Sequence, residues 1–192
     1  AFCLYTFYNE SNASLRRTCC NCCHNLLLYL NESNASLSRC VAMAGGIILE
    51  ECSKAYYFQR DSHIILASYL NRHIKGSCLV FCIGTDRYIG DCLGPLTGTF
   101  LSKLDLGIPV IGTLDDPVHA VNLSKNVYDI KKKYPDHKII AVDACLGNED
   151  SIGSIQIKNG PIHPGKGVGK RLPPVGDISI VGIVDSSESG EF

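Results

Sequence analysis

The most constraining feature of the sequence is a series of short apolar runs in which polar residues do not alternate. "CLVFCI" at 78–83, "KIIAVDA" at 138–144 and "DISIVGIV" at 177–184 all follow this pattern. Such strands are typical of a parallel sheet whose two faces are both covered by helices. "IPVIGT" at 108–113 is a further strand, and "GSIQIK" at 153–158 alternates, which predicts an edge or antiparallel strand. The chain is therefore predicted to be an α/β protein with a mostly parallel central sheet flanked by helices.

Helical segments lie between the predicted strands. Residues 61–75 have apolar positions on one face, and Asp61 is a candidate N-cap. Residues 91–104 and 115–136 form the next two predicted helices, and each has a proline near its start, where helices tolerate proline. The order of elements from residue 77 is thus strand, loop and helix, repeated, as expected for crossover connections in an α/β fold.

Acidic residues follow several of these strands. In open α/β sheets, ligands bind beyond the carboxyl ends of the strands, so side chains arriving there are candidates for a site. His119 lies one turn into the helix predicted after the second strand. The acids are Asp86 and Asp91 in "GTDRYIGDCLGP", Asp115 and Asp116 in "LDDPVHA", and Asp143 in "AVDACLG".

Asp143 is the most informative of these acids, because its neighbours on both sides are apolar. Burying a carboxylate is costly unless it is paired or has a chemical task. The alternative for Asp143 is a cap at the end of a strand, and the alternative for Asp91 is an N-cap. If the two face each other, they could share a proton, bind a metal or activate water. Asp86 fits a turn more readily, and His119 fits a helix surface and a site equally well.

A long loop rich in glycine and proline, "NGPIHPGKGVGKRLPPVG" at 159–176, separates the last two strands. Long loops in compact domains are usually functional or disordered. "GKGVGK" resembles a phosphate-binding loop only superficially, because it neither follows a strand closely nor opens a helix. Nucleotide binding is therefore not favoured. The basic side chains expected to fold over the acidic edge are His163, Lys166, Lys170 and Arg171.

Composition limits the classes of partner. The net charge is −1 and the basic residues are scattered, so neither nucleic acid nor a membrane surface is expected as a partner. No apolar run reaches the roughly 18 residues of a membrane span, and no signal-peptide pattern is present, which predicts a cytoplasmic protein. Eleven cysteines are expected to be reduced thiols. The cluster "CCNCCH" at 19–24 would need Cys40 and Cys52 to complete a zinc site.

Several segments resemble a known family. "CIGTDRYIGDCLGPLTGTFL", "GTLDDPVHAVNL" and "AVDACLG" closely resemble the YyaC-type sporulation proteins of spore-forming Firmicutes, in uninterrupted order over residues 55–186. That family is grouped with the germination protease, which degrades small acid-soluble spore proteins. Both look like relatives of the hydrogenase-maturation endopeptidases. The resemblance implies a three-layer phosphorylase/hydrolase-like α/β fold.

The resemblance also implies a site. The germination protease has two essential aspartates, in "D-A-L-G-P" and "I-D-A-L" contexts, which match Asp91 in "GDCLGP" and Asp143 in "VDACLG". The hydrogenase-maturation endopeptidases use acidic residues at these positions as metal ligands, with a later histidine as a third. His163 is the nearest histidine in order, but its local pattern does not match. A pair of catalytic aspartates without a cofactor is therefore favoured over a divalent metal held by Asp91 and Asp143.

The first fifty residues depart from the family pattern. "NESNASL" occurs at 9–15 and 31–37, and two copies do not predict a solenoid. Residues 28–51 resemble the apolar helix that normally follows the last strand of the family. We expect them to occupy the place of that helix, beside strand 177–184, as in a circular permutant. The predicted organisation is an atypical segment 1–54 and an α/β spore-protease-like domain 55–192, in one compact domain.

The predicted function is peptide-bond hydrolysis by a sporulation-associated peptidase of the germination-protease type. One aspartate of the pair would activate water, and the other would be protonated and polarise the peptide carbonyl. The expected partner is a peptide or small spore-protein substrate in the sporulating cell or spore core, and a homo-oligomer is compatible with the sequence. The alternatives are a non-catalytic binding or regulatory protein and a metal-dependent maturation endopeptidase. Candidates for substrate contacts are Asp86, His119, His163, Lys166 and Lys170.

Overall fold

A computed structural model describes residues 52–104, 106–165 and 172–186. Within these ranges, six strands form one sheet in the lateral order β1-β5-β6-β4-β2-β3. Among the same residues, no helix is long and apolar enough to cross a bilayer. The strands are β1 Cys52–Tyr56, β2 Cys78–Cys82, β3 Val110–Ile111, β4 Lys138–Gly147, β5 Ser154–Asn159 and β6 Ile178–Ser186.

Three α-helices connect the strands: α1 Ser62–His73, α2 Leu93–Ser102 and α3 Leu123–Lys133. Two short 3₁₀ helices, Ile89–Cys92 and Glu149–Ser151, lie in the loops after β2 and β4. Asp61 occupies the N-cap position of α1 as predicted, but its side chain makes no capping hydrogen bond.

The sheet is mixed. β6, β4, β2 and β3 run parallel, whereas β5 is antiparallel to both β6 and β1. The α/β class expected from the sequence is confirmed, and the structure adds two antiparallel pairings to the parallel part of the sheet. β5 is antiparallel, as its alternating pattern allows, but it is not an edge strand because β1 lies outside it.

Two apolar clusters explain why β2 and β4 read as continuous apolar runs. Alternate side chains of each strand face opposite sides of the sheet, and both sides are buried. On one face, the strands pack against α3, and on the other face they pack against α1. The first cluster includes Leu79, Phe81, Ile139, Ala141, Leu123, Val127 and Ile130. The second includes Val80, Cys82, Ile140, Val142, Tyr69 and Leu70.

The predicted helix 115–136 begins later than expected. Val118 forms a parallel bridge with Ile83, and its carbonyl accepts a hydrogen bond from the Gly84 N–H at 2.8 Å. This pairing keeps the chain extended beside β2, so α3 begins only at Leu123. His119 therefore precedes the helix and is not one turn inside it.

Some expectations concern residues outside the described ranges. These are the placement of 28–51 in place of a terminal helix, the repeated "NESNASL", the "CCNCCH" cluster at 19–24, and the side chains of Lys166, Lys170 and Arg171. They stay predictions from the sequence.

Candidate active site

The site is built around Ile83, the residue that follows β2, because Ile83 pairs with a neighbouring segment on each side. Its N–H donates to the carbonyl of Val142 at 2.8 Å, and on its other side it bridges Val118. β2 ends here, whereas β4 continues to Gly147, so Asp143 lies level with the carboxyl end of β2. His119 follows Val118 on the other side of β2, and the two residues therefore lie at the carboxyl end of β2 on opposite sides of it.

The loop after β2 folds back over the end of that strand. Gly84 has a φ of +139°, and a Cβ there would overlap the carbonyl oxygen of Asp91. The same carbonyl accepts a hydrogen bond from the Thr85 N–H at 3.1 Å. A Cβ at Gly94 would overlap the carbonyl of Ile83. Both glycines are therefore required by close backbone approach, which holds Asp91 at the carboxyl end of β2.

Asp143 lies inside β4, and its carboxyl group is half-buried. Burial raises the pKa of Asp143 to about 7, against the lowering effect of a hydrogen bond from the Ala144 N–H to Oδ1 at 2.9 Å. The negative charge of Asp91 raises this pKa further. Asp143 is thus held largely in its protonated form at pH values below neutral.

Asp91 has a different environment. Burial raises the pKa of Asp91, but a backbone hydrogen bond from Thr85 and the charge of His119 both lower it. These two influences favour the carboxylate form and offset part of the effect of burial, so the pKa of Asp91 is raised less than that of Asp143. Of the two coupled carboxyl groups, Asp91 therefore ionises first.

His119 is held in place by Asn122. The His119 N–H donates to Oδ1 of Asn122 at 2.9 Å, and Nδ2 of Asn122 donates to the carbonyl of Pro117 at 3.0 Å. Nδ1 of His119 accepts a hydrogen bond from the Val121 N–H at 3.3 Å.

The other predicted acids at this edge are exposed. Asp86 lies in the same loop as Asp91, and Asp115 is exposed in the loop after β3. Asp116 forms a turn with Thr113, in which the Asp116 N–H donates to Oγ1 of Thr113 at 3.2 Å. These positions suit turn residues as well as contacts with a ligand.

His163 is exposed on a hairpin that extends β5 and β6. In this hairpin, Ile162 pairs with Val175. The Asp177 N–H donates to the carbonyl of Ile139, at the amino end of β4, at 2.8 Å. The described part of the loop is therefore connected to the amino end of β4, whereas Asp143 lies toward the carboxyl end.

Cys145 follows an apolar run of the sequence, but its exposure differs from that of the other cysteines in such runs. Cys78 and Cys82 are buried, but Cys145 is exposed. Residues two apart on a strand share a face, so the thiol lies on the same side of β4 as Asp143. Partial burial and the charge of Asp143 raise the pKa of the Cys145 thiol, and a hydrogen bond with the Leu146 backbone and the charge of Lys158 lower it. The spacing in "VDAC" could have indicated this neighbour.

A metal site was an alternative for the two aspartates. Among the residues that the structure describes, no group of three or more His, Cys, Asp or Glu side chains is arranged to hold a metal ion. The described part of the site thus offers two carboxyl groups of different acidity, without a third ligand to complete a metal site.

The fold and the site define an α/β protein with a coupled pair of aspartates at the carboxyl ends of adjacent parallel strands. A family model described as "Protein of unknown function (DUF1256)" matches residues 54–192, and the chain belongs to this DUF1256 family. The chain is 50% identical over 129 residues to the "Uncharacterized protein YyaC" of Bacillus subtilis (strain 168). The match covers 67% of this chain and 63% of that protein, so the chain spans less than two thirds of its relative's length. The expected YyaC-type membership is thereby confirmed.

Proposed function

We propose that this protein is a peptidase in which Asp91 and Asp143 form a general base and general acid pair. The observation that carries the proposal is the difference between two coupled carboxyl groups at one sheet edge. Burial raises the pKa of Asp143 to about 7. Burial also raises the pKa of Asp91, but a backbone hydrogen bond from Thr85 and the charge of His119 lower it, so Asp91 ionises first. Pairs of titratable groups whose pKa values are pushed apart are typical of acid–base catalysis.

In the proposed reaction, the Asp91 carboxylate accepts a proton from a water molecule as the water oxygen attacks the peptide carbonyl carbon. Protonated Asp143 transfers its proton to the carbonyl oxygen, which gives a neutral tetrahedral intermediate. The intermediate collapses as Asp91 delivers its proton to the leaving amine and the C–N bond breaks. Asp143 recovers a proton from the intermediate's hydroxyl, which restores the starting protonation states.

The remaining members of the proposed site have roles in binding. His119 and Asp86 lie on loops at the same edge as the pair and are proposed to contact the substrate. For Lys166 and Lys170, the proposal rests on the basic character of their loop in the sequence. His163 was expected at the same edge, but it lies on a hairpin connected to the amino end of β4 and is not included.

The broader context is also part of the proposal. We propose a three-layer phosphorylase/hydrolase-like fold and kinship with the germination protease and the hydrogenase-maturation endopeptidases, with a role in sporulation in the cytoplasm. Helix packing against both faces of β2 and β4 supports the layer arrangement. The motifs "GDCLGP" and "VDACLG" support the kinship because they contain the two aspartates.

The direct test is cleavage of a small acid-soluble spore protein by purified wild-type protein and by Asp91→Asn and Asp143→Asn. Each substitution is expected to reduce kcat/KM by at least about a hundredfold, since acid–base groups contribute that much. Asp129→Asn is the matched control because Asp129 is exposed on α3. If both site variants cleave as well as the control, the proposed mechanism is wrong. Binding without cleavage by the wild type would support the non-catalytic alternative.

A further inference from the structure

Large apolar side chains are exposed on the loops around the aspartate pair. Ile89 is 93% exposed and Tyr88 64% in the loop after β2, and Val121 is 85% exposed in the loop before α3. Phe58, after β1, is 68% exposed, and Ile152, between β4 and β5, is 39% exposed. We refer to these five side chains as the apolar rim. Exposed apolar side chains mark an interaction site where they gather on one part of the surface, so their placement around the aspartate pair is the point to establish.

One part of the apolar rim lies on the β6 side of the aspartate pair. The Tyr57 N–H donates to the carbonyl of Gly153 at 2.9 Å, and the Gly153 N–H donates to the carbonyl of Ile183 in β6 at 2.8 Å. These hydrogen bonds place the turn after β1 and the loop before β5 together at the carboxyl end of β6. Phe58 and Ile152, which neighbour the bonded residues, therefore lie at the same sheet edge as Asp143.

The other part of the rim lies on the β2 and β3 side. Tyr88 and Ile89 belong to the loop that carries Asp91, and Val121 follows His119 by two residues. Because β4 and β6 lie on the opposite side of β2 from β3, the rim has apolar side chains on both sides of the aspartate pair.

The dimensions of this edge fit an extended chain. Adjacent strands are about 4.8 Å apart, so the six strands span about 24 Å. An extended polypeptide advances about 3.3 Å per residue and would cross this edge with about seven residues. The peptide bond next to the aspartate pair would then lie between side chains of the bound polypeptide that reach the apolar rim on both sides.

Two open pockets lie elsewhere in the described structure. A cavity of about 260 Å³ is lined by Leu101 and Val110, and one of about 200 Å³ is lined by Val127 and Pro174. Neither is lined by Asp91 or Asp143. Small-molecule sites are usually concave and enclosed, whereas an open edge with apolar residues on separate loops suits a chain laid across it.

The charge of the loops around the site limits which residues a bound polypeptide can carry. On the β2 and β3 side, the loops 84–92 and 112–122 carry four aspartates, and the one lysine or arginine in them is Arg87. Acidic side chains in a bound segment would be repelled here, and basic ones attracted. The aspartates are Asp86, Asp91, Asp115 and Asp116.

We propose that the site takes an extended polypeptide with apolar side chains on both sides of the scissile peptide bond and basic, not acidic, residues beside them. Ile89, Val121 and Phe58 are the specificity-determining residues of the apolar rim. This inference rests on the proposed peptidase function. The following experiment distinguishes a failure of the inference from a failure of that function.

The test measures the binding of fluorescent ten-residue peptides to Asp143→Asn by anisotropy. Asparagine resembles the protonated form of Asp143, so this variant is expected to bind peptides without cleaving them. Peptides with leucine on both sides of the central bond are expected to bind about tenfold tighter than peptides with serine there. Lysine next to the leucines is expected to strengthen binding, and glutamate to weaken it.

The rim is then tested in the same variant background. Ile89→Ser and Val121→Ser are expected to weaken binding of the leucine peptides at least about threefold. Ile64→Ser and Tyr128→Ser are the matched controls, because these exposed side chains lie on α1 and α3. Absence of a preference for apolar flanks, or equal losses in the controls, would overturn the proposal.

Two further outcomes are informative. If the wild type sediments as a dimer, Ile89→Ser as a monomer, and no peptide binds selectively, the rim is a contact between copies of the chain and the proposal is wrong. If leucine peptides bind selectively but the wild type cleaves none of them, the proposed peptidase function fails while the apolar rim remains a polypeptide-binding surface.

Discussion

The α-carbon of Gly84 lies directly against the carbonyl oxygen of Asp91, with no room for a side chain at residue 84. The two residues are joined further by the Thr85 N–H, which donates to the same carbonyl at 3.1 Å. Because Gly84 immediately follows Ile83, this contact links the register of the sheet to the position of the proposed general base.

Gly84→Ala is expected to destabilise the protein by about 2–4 kcal/mol, because alanine at a φ of +139° is strained and its Cβ would overlap the Asp91 carbonyl. Urea unfolding measures the change. Gly76→Ala is the control: φ is +82° there, but a Cβ would meet nothing within 4 Å. The control is expected to lose about 1 kcal/mol. Equal losses at both positions would contradict the close approach.

Asp143 is expected to make stability depend on pH. Its pKa is raised from 3.8 to about 7 on folding, so the folded state binds the proton more tightly than the unfolded state. This contribution to stability is fully present below pH 3.8 and is lost as the pH rises to about 7. The loss is a few kcal/mol, since each pKa unit corresponds to about 1.4 kcal/mol.

Asp143→Asn removes this titration. Its free energy of unfolding, measured in urea from pH 4 to pH 9, is expected to rise relative to that of the wild type as the pH increases to about 7, and to stay parallel above it. Asp129→Asn, with its exposed side chain, should follow the wild type throughout. A constant difference between Asp143→Asn and wild type across this range would show that the carboxyl group has an ordinary pKa.

The strands that carry the site could be predicted from the sequence because they are buried on both faces. β2, β4 and β6 read as apolar runs, and the parallel arrangement brings Asp91 and Asp143 to one edge. β1 was not predicted. As an edge strand it has one partner, so its sequence gives little sign of which side chains are buried. Its partner β5 is also about a hundred residues away in sequence.

The helical start near His119 was predicted wrongly for a physical reason. Pro117 and the following apolar residues suit a helix locally, but the bridge between Val118 and Ile83 is a long-range interaction that keeps the segment extended. The hydrogen bonds of Asn122 to His119 and Pro117 are local, and Asn122 is the N-cap residue of α3, so this asparagine is a signal that could have marked the helix start. The degree of burial that sets the pKa of Asp143, by contrast, depends on tertiary packing.

The proposed reaction is expected to have a bell-shaped dependence of kcat/KM on pH. The basic limb should fall with a midpoint near 7, because Asp143 must be protonated to donate to the carbonyl oxygen. The acidic limb reflects protonation of Asp91. Initial rates of peptide cleavage from pH 4 to pH 9 measure both limbs. Activity that rises from pH 7 to pH 9 would exclude Asp143 as the general acid.

His119→Gln is expected to raise the pKa of Asp91, because the charge of His119 lowers it in the wild type. NMR titration of the labelled Asp91 carboxyl carbon measures this directly, and the acidic limb of the kcat/KM profile should move to higher pH. His63→Gln is the control, since His63 is exposed on α1. An unchanged Asp91 titration in His119→Gln would show that the histidine does not act on this carboxyl group.

Cys145 offers a chemical probe of Asp143. The charge of Asp143 contributes to the raised pKa of the Cys145 thiol, so Asp143→Asn should increase the thiolate fraction and the rate of alkylation at pH 8. Peptide mapping after brief treatment with iodoacetamide gives the rate at each cysteine. Buried Cys82, whose pKa burial raises to about 12, should stay unmodified in both proteins. If Cys145 reacts at the same rate in Asp143→Asn, Asp129→Asn and wild type, the charge of Asp143 does not reach the thiol, and the side chains are farther apart than their spacing on β4 implies.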